Sequence, residues 1–372
     1  MTEDAQKIQK DILNFIYKYK NHTTDQTDDA FNELAMRVFE YQFQNNLPYK
    51  QLAKLRHKNR LTVKKWPDLP LMPIQAYKEL TLSTEDINQA ADVFYSSGTT
   101  NVNHKSKHYI SNLAVWEASM QVGFKQHVLP NTDKIRIISL FPGMKDNPNS
   151  SLSRYVSTAI RKFGTENSQI CWENNQLNYD QVVEALNDAV AKQEAVLLIG
   201  ASFSYVHLLS HLDKQGHSFK LAKGSVLFDT GGFKGKSKEV DMNELYAELS
   251  QYFNVSRSQI INMYGMTEIS SQCYDRNLVD AVEKHTVYFD KLAPAWVKIQ
   301  VLDTETLQPV KLGQRGVLAY YDLANWDSCI AILTEDIVVA SEHGFKIIGR
   351  AKGAVAKGCS ISADEFLQRQ PG

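Results

Sequence analysis

SVLFDTGGFKGKSKEVDMNELYAELSQYFNVSRSQIINMYG, residues 225–265, holds the order of elements that decides the fold. It opens on the apolar run SVLFDTGG at 225–232, passes through DMNELYAELSQYF with apolar residues at helical spacing, and closes on IINMYG at 260–265. Strand, helix and strand in succession make a βαβ unit. Its strands read as continuous apolar runs because both faces of a parallel sheet are covered.

The alternation extends upstream. IRIISLF at 135–141 and AVLLIG at 195–200 read as further buried strands, with the amphipathic YDQVVEALNDAVAKQ between them. The predicted class is therefore α/β, with layered parallel sheet and helices. After about residue 285 the pattern changes to strands without long helices: WVKIQVLD, RGVLAYYDL, CIAILTEDIVVA and GFKIIGR. A β-rich lobe is expected there. Toward the N-terminus, Ile8, Ile12, Phe15 and Ile16 recur at helical spacing, as do Phe31, Leu34, Val38 and Tyr41 after the cap signal Thr23-Thr24-Asp25. Pro67, Pro70 and Pro73 punctuate WPDLPLMPIQAYKEL, which cannot continue a helix and is expected to run extended across a surface. The expected organisation is a helical segment at 1–70, a core at 71–345 and a short C-terminal segment at 346–372.

Composition narrows the function classes. At 372 residues and 43% hydrophobic, the chain can bury a large core. Its 41 basic and 42 acidic residues give a formal charge of -1, so no global basic field attracts nucleic acid. The N-terminus, MTEDAQKIQKDILNF, carries acids and amides where a signal peptide needs a basic start and an apolar block, and no apolar stretch is long enough to form a transmembrane segment. A cytoplasmic protein is expected. Cys171, Cys273, Cys329 and Cys359 are too widely spread for a metal knuckle and are expected to be free thiols.

Five stretches can carry chemistry. In FYSSGTTNVNHKSKHY at 94–109, small hydroxyl residues and Gly98 permit close backbone approach to an anion, and His104, Lys105, Lys107 and His108 add positive potential. The P-loop pattern GxxxxGK[ST] is absent. Alone, this loop is either a phosphate cradle or a solvated turn. NMYGMTE at 262–268 offers a ring, a glycine turn, a hydroxyl and a carboxylate at a strand end, which suit a base, a phosphate and Mg²⁺; a capped strand end is the plainer reading. In LTEDIVVASEHGFKIIGRAKG at 333–353, Asp336 and Arg350 lie at opposite ends of a hairpin and could converge on a ribose; Gly231 and Gly232 of DTGGFKG at 229–235 could pass a ligand or make a turn. Finally, Cys359 in KGCSISADEF at 357–366 follows Lys357 closely, so it is either an activated thiol or a small buried hydrophobe. Apolar and aromatic residues in GASFSYVHLL at 200–209 and FDTGGF at 228–233 suit a hydrocarbon chain, and suit core packing equally.

Taken in order, SSGTT at 96–100, DTGG at 229–232, YGMTE at 264–268, TED at 334–336 and GRAKG at 349–353 resemble the core motifs of the adenylate-forming superfamily. The helical N-terminus, the PLMPIQAYKEL segment and the GCSISADEF ending are most similar to the LuxE-type acyl-protein synthetases, the long-chain-fatty-acid protein ligases of fatty acid reductase complexes. The resemblance implies a fold like the large domain of adenylate-forming enzymes, with a truncated C-terminal domain. It implies ATP and Mg²⁺ as cofactors, a fatty acid substrate, and acyl reductase and acyltransferase partner subunits. Ser96, Ser97, Gly98, Thr99 and Thr100 would wrap the ATP phosphates, with Gly231, Gly232 and Gly265 in the same nucleotide site. Tyr264 would stack on adenine, Thr267 would touch phosphate, Glu268 would bind Mg²⁺, and Asp336 and Arg350 would hold the ribose. Cys359 would accept the acyl group as a thioester. Asn101 stands where the superfamily usually has glycine. About twenty residues follow Arg350, too few for the full C-terminal domain that carries the superfamily's adenylation lysine; if that domain is missing, Lys105, Lys107, Lys352 and Lys357 are the substitutes to expect, with Lys105 and Lys352 put forward. Two other readings stay open: a ligase acting on coenzyme A or a carrier-protein thiol, and a non-catalytic nucleotide-binding subunit of a biosynthetic complex.

Overall fold

The computed structural model describes residues 1–96, 105–231, 241–286 and 289–350. They fall into two compact units, one of residues 1–122, 266–272 and 290 onward, the other of residues 123–265 and 273–289.

The second unit carries the sheet anticipated from the apolar runs. Its six strands lie in the order Cys273–Tyr274, Ile260–Tyr264, Val226–Thr230, Val196–Ala201, Arg136–Ser139, Gln169–Ile170. All neighbours are parallel except the first pair. Leu197, Leu198, Ile199, Leu227 and Ile260 are fully buried, as continuous apolar strands in a covered sheet must be. The helices Tyr179–Ala191, Ser202–Gln215 and Met242–Phe253 pack Val182, Leu186, Leu208, Leu212, Leu245 and Leu249 into the same core. Each such side chain contributes about 1.5–3 kcal/mol on burial. The boundaries follow from local chemistry. Asn178 accepts from the Gln181 N–H, Asp241 accepts from the Asn243 and Glu244 N–H groups, and Gly216 and Asn254 end their helices in the left-handed region.

The first unit begins with the helix Glu3–Tyr19, whose Thr2 accepts from the Ala5 N–H and which buries Ala5, Ile8, Ile12, Phe15 and Ile16. The second helix, Asp28–Asn45, starts later than its threonine pair implies. Asp25–Thr27 forms a tight 3-10 turn instead, and the Thr27 hydroxyl faces the carbonyls of Thr24 and Ala295. A five-stranded sheet completes this unit. Val297–Leu302, Arg315–Asp322 and Ala331–Ser341 are antiparallel neighbours, and Gly344–Arg350 pairs with the later half of Ala331–Ser341. The β-rich lobe is thus present, with one addition. Met72–Pro73 joins it as a parallel edge strand on Ile332 and Leu333. The proline-punctuated segment departs from the expected extended run across a surface: Trp66–Asp68 is a 3-10 turn, Ala76–Glu79 is a turn of helix, and Met72–Pro73 between them is the strand, with Leu69, Pro70, Met72 and Pro73 buried. Proline is tolerated there because an edge strand has one side without a ladder.

Candidate functional site

The expected nucleotide residues divide between the units. In the first, the strands Asp92–Tyr95 and Lys107–Ile110 form a two-stranded hairpin in the register Phe94↔His108 and Tyr95↔Lys107. Ser96 closes its open end: its N–H donates to the Ser106 carbonyl at 3.1 Å, and its hydroxyl oxygen accepts from the Ser106 N–H at 3.0 Å. Ser96, the first residue of the SSGTT motif, is thus held at the end of the hairpin, and Lys105 stands half-buried beside Ser106. Ser97, Gly98, Thr99 and Thr100 lie outside the described residues, as do Gly232, Lys352 and Cys359.

His108 corrects a sequence reading. It was expected to add positive potential, but it is fully buried, and burial pushes its imidazole down to about 4, so it is neutral near pH 7. The hairpin's period of two explains this. His108 shares the buried face with Ile110, while Lys107 and Tyr109 point the other way. Its Nδ1 lies 2.8 Å from the carbonyl oxygen of Thr267.

That contact is among those that fix the TEISS stretch. The Asn325 amide donates to the Glu268 carbonyl at 2.9 Å. The Asp322 carboxylate accepts from the N–H groups of Ser270 and Ser271, from the Ser271 hydroxyl at 2.7 Å and from the Ala324 N–H at 2.9 Å. Burial raises Asp322 to about 6 even against these donors. Glu268, 7% exposed, thus sits on a turn whose backbone is held on both sides. Sequence reasoning missed Asp322 and Asn325.

Asp336 and Arg350 are brought together. They are register partners on antiparallel strands, with Arg350 Nε 3.3 Å from Asp336 Oδ1. Thr334 of the same TED motif donates its hydroxyl to the Leu318 carbonyl and accepts from the Asp336 N–H, which sets the strand locally.

In the second unit, Val226–Thr230 and Ile260–Tyr264 run parallel, so their carboxyl ends lie at one edge, where ligands bind in open α/β sheets. Gly231 follows at φ 75°, a conformation that favours glycine, and a Cβ there would meet nothing. Tyr264 is 7% exposed and ends its strand, with Gly265 next. Asp229 was not singled out from sequence. It is fully buried and accepts from the Ser202 hydroxyl at 3.0 Å, the Tyr246 hydroxyl at 2.7 Å and the Asn262 amide at 2.9 Å. An aspartate inside the apolar run SVLFDTGG is the signal that could have found it, because a buried carboxyl group requires such donors. The Thr230 hydroxyl donates to the Met263 carbonyl at 3.2 Å, which ties the two strand ends together.

Ser202, Ser204, Tyr205, Leu208 and Leu209 of the 200–209 stretch are buried, and Tyr205 donates its hydroxyl to the Leu198 and Phe228 carbonyls. These residues pack as core. Cys171, Cys273 and Cys329 are buried; burial pushes Cys171 up to about 11 and Cys329 higher still. No helix among the described residues is long and apolar enough to cross a membrane.

Comparison with known proteins agrees with this architecture. The chain is similar in fold to 2-hydroxyisobutyryl-CoA ligase, solved in its open form with an acyl-AMP and CoA, at a TM-score of 0.65 and 13% identity over 88% of this chain and 71% of that one. A postadenylation form of the same ligase gives a TM-score of 0.66 at 12% identity, covering 92% and 73%. In sequence it is 22% identical to a long-chain-fatty-acid–luciferin-component ligase of Vibrio harveyi, over 97% of this chain and 94% of that protein. A protein of the same name from Aliivibrio fischeri is also 22% identical, over 96% and 94%. The family model described as acyl-protein synthetase, LuxE, matches residues 4–368. The chain belongs to the LuxE acyl-protein synthetase family, and it is a ligase with the fold of adenylate-forming enzymes.

Proposed function

We propose that this chain joins a long-chain fatty acid to ATP as an acyl-adenylate and then transfers the acyl group to its own Cys359. The observation that carries the nucleotide half is the Thr267–Glu268 turn, held by His108 at one carbonyl and by Asn325 at the next. A site that acts by positioning and electrostatics needs such a preorganised turn.

In this reading the Ser96–Thr100 loop, Lys105 and Thr267 hold the phosphates, Tyr264 and Gly265 border the base, Gly231 and Gly232 let the ligand pass the backbone, and Asp336 and Arg350 hold the ribose. Glu268 fits Mg²⁺, which takes one or two carboxylates and draws the rest of its shell from phosphate and water; a single carboxylate on an anchored turn is that donor set. Bound Mg²⁺ would neutralise phosphate charge. A fatty-acid carboxylate oxygen forms a bond to the α-phosphorus of ATP as the bond to pyrophosphate breaks, with Lys105 or Lys352 offsetting charge. The Cys359 thiol gives up its proton, its sulfur bonds to the acyl carbon, and AMP leaves with the carboxylate oxygen. The raised thiols of Cys171 and Cys329 are poor nucleophiles near pH 7, which favours Cys359 for this role. The segments 1–70, 71–345 and 346–372 serve as helical support, adenylating core and acyl-carrying end. An acyl reductase, with an acyltransferase supplying the acid, is the fitting partner chemistry, and a cytoplasmic setting keeps the thiol reduced.

Acid-dependent exchange of labelled pyrophosphate into ATP tests the reading. Exchange with long-chain acids and little with short or aromatic ones is expected; none with any acid overturns it.

A further inference from the structure

We propose that His108 is a positioning residue for adenylation: by donating its Nδ1–H to the Thr267 carbonyl it sets the turn that presents Thr267 and Glu268 to the nucleotide. This rests on the assignment of that turn to the phosphate and cation side of the site. The Thr267 carbonyl can only accept, so the bond requires a hydrogen on Nδ1. The neutral ring carries one hydrogen, and the contact at 2.8 Å selects the tautomer. Packing fixes the ring as well. It stands edge-on to Tyr77, 5.8 Å between centroids at 78°, and the Tyr77 hydroxyl is itself 2.9 Å from the Ser328 hydroxyl.

The placement of His108 in the chain gives the bond its consequence. His108 pairs with Phe94 in the hairpin whose end is closed by Ser96 and Ser106. One two-stranded element therefore carries both Ser96 of the SSGTT motif and the donor that holds Thr267. Ser96 and Thr267, far apart in sequence, are both held by this hairpin. A shift of about 1 Å in a positioned group can cost a hundredfold in rate, so the loss of this bond should be felt in the nucleotide half-reaction before it is felt in folding.

The test compares His108→Phe with His108→Asn in the full-length protein. Phenylalanine keeps the ring against Tyr77 and deletes the donor, whereas asparagine places an amide N–H near the position of Nδ1. Thermal unfolding and acid-dependent ATP–pyrophosphate exchange are measured, with separate kcat and KM for ATP and for fatty acid. The Phe variant is expected to lose about 10–100-fold in kcat/KM for ATP with the fatty-acid KM unchanged, and the Asn variant to recover most of that loss. If the Phe variant does not fold, His108→Gln, whose amide reaches the position of Nε2 and not Nδ1, is expected to show the same loss. Wild-type exchange in the Phe or Gln variant, or equal losses in the Asn and Phe variants, overturns the inference alone. A wild-type protein inactive with every acid overturns the functional reading and this inference with it.

Discussion

Asp336 and Arg350 face each other across two antiparallel strands, the guanidinium Nε 3.3 Å from the carboxylate Oδ1. The arginine side chain is 54% exposed and that of the aspartate 12%. A pair this open to water is worth at most about 1 kcal/mol, so exchanging it for hydrogen bonds to a ribose costs little. Asp336→Asn is expected to raise the KM for ATP by about tenfold or more while moving the thermal midpoint by only a few degrees. Pyrophosphate-exchange kinetics beside thermal unfolding decide it; an unchanged KM would remove Asp336 from the nucleotide site.

Glu268 should separate chemistry from folding. Its backbone carbonyl is held by Asn325, so Glu268→Gln changes the carboxylate and leaves the turn in place. Exchange is expected to fall by about a hundredfold, partly restored by raising Mg²⁺, with the unfolding midpoint near that of wild type. A wild-type rate would mean that Glu268 is not the cation ligand.

The carboxylate of Asp229 makes a stability prediction for the parallel-sheet unit. Tyr246 donates to it at 2.7 Å from within the helix Met242–Phe253. Tyr246→Phe keeps the ring and removes one donor from a buried acceptor, so a loss of about 1.5–3 kcal/mol is expected in denaturant unfolding. A change below about 0.5 kcal/mol would show that the Ser202 and Asn262 donors satisfy Asp229 on their own.

Two buried groups give pH dependences of opposite sign. Burial raises Asp327 to about 7 from its usual 3.8, although the Ser111 N–H donates to it at 2.7 Å. A raised carboxyl stabilises the fold fully below the unfolded value, and that contribution is lost as pH climbs through about 7. Asp327→Asn should flatten stability between pH 4 and 7 by something on the order of 2 kcal/mol. Burial first, and Arg276 second, hold His127 near 4, below its usual 6.5, while its ring stacks on Tyr274. Its contribution is present above 6.5 and lost as pH falls through about 4. His127→Phe, which preserves the stack, should blunt acid unfolding. Unfolding curves at pH 4, 5.5, 7 and 8.5 check both; parallel profiles for variant and wild type would contradict them.

Much of the sheet was legible because a parallel strand buried on both faces leaves an unbroken apolar run, as in Val196–Ala201 and Val226–Thr230. The Asp336–Arg350 pairing was legible as well, since a hairpin brings its two ends into register. The anchors of the YGMTE turn were not. Asp322 reaches Ser271 across 51 positions and Asn325 reaches Glu268 across 57, and no local period records such contacts. His108 lay within reach, because alternation in KSKHYI puts it on the face of Ile110, but its neighbours in a lysine-rich stretch made it look like surface charge. The same limit applies to Asp229, where composition reads an apolar strand, and donors come from two helices, at Ser202 and Tyr246, and from the neighbouring strand, at Asn262.

The central claim, transfer of an activated acyl group to Cys359, is tested most directly by intact-protein mass spectrometry after incubation with ATP, Mg²⁺ and a long-chain fatty acid. The account requires one acyl adduct that depends on ATP, is released by hydroxylamine and is absent from Cys359→Ser, while that variant still exchanges pyrophosphate. No adduct on the wild-type protein with any fatty acid, or an undiminished adduct on Cys359→Ser, would contradict it.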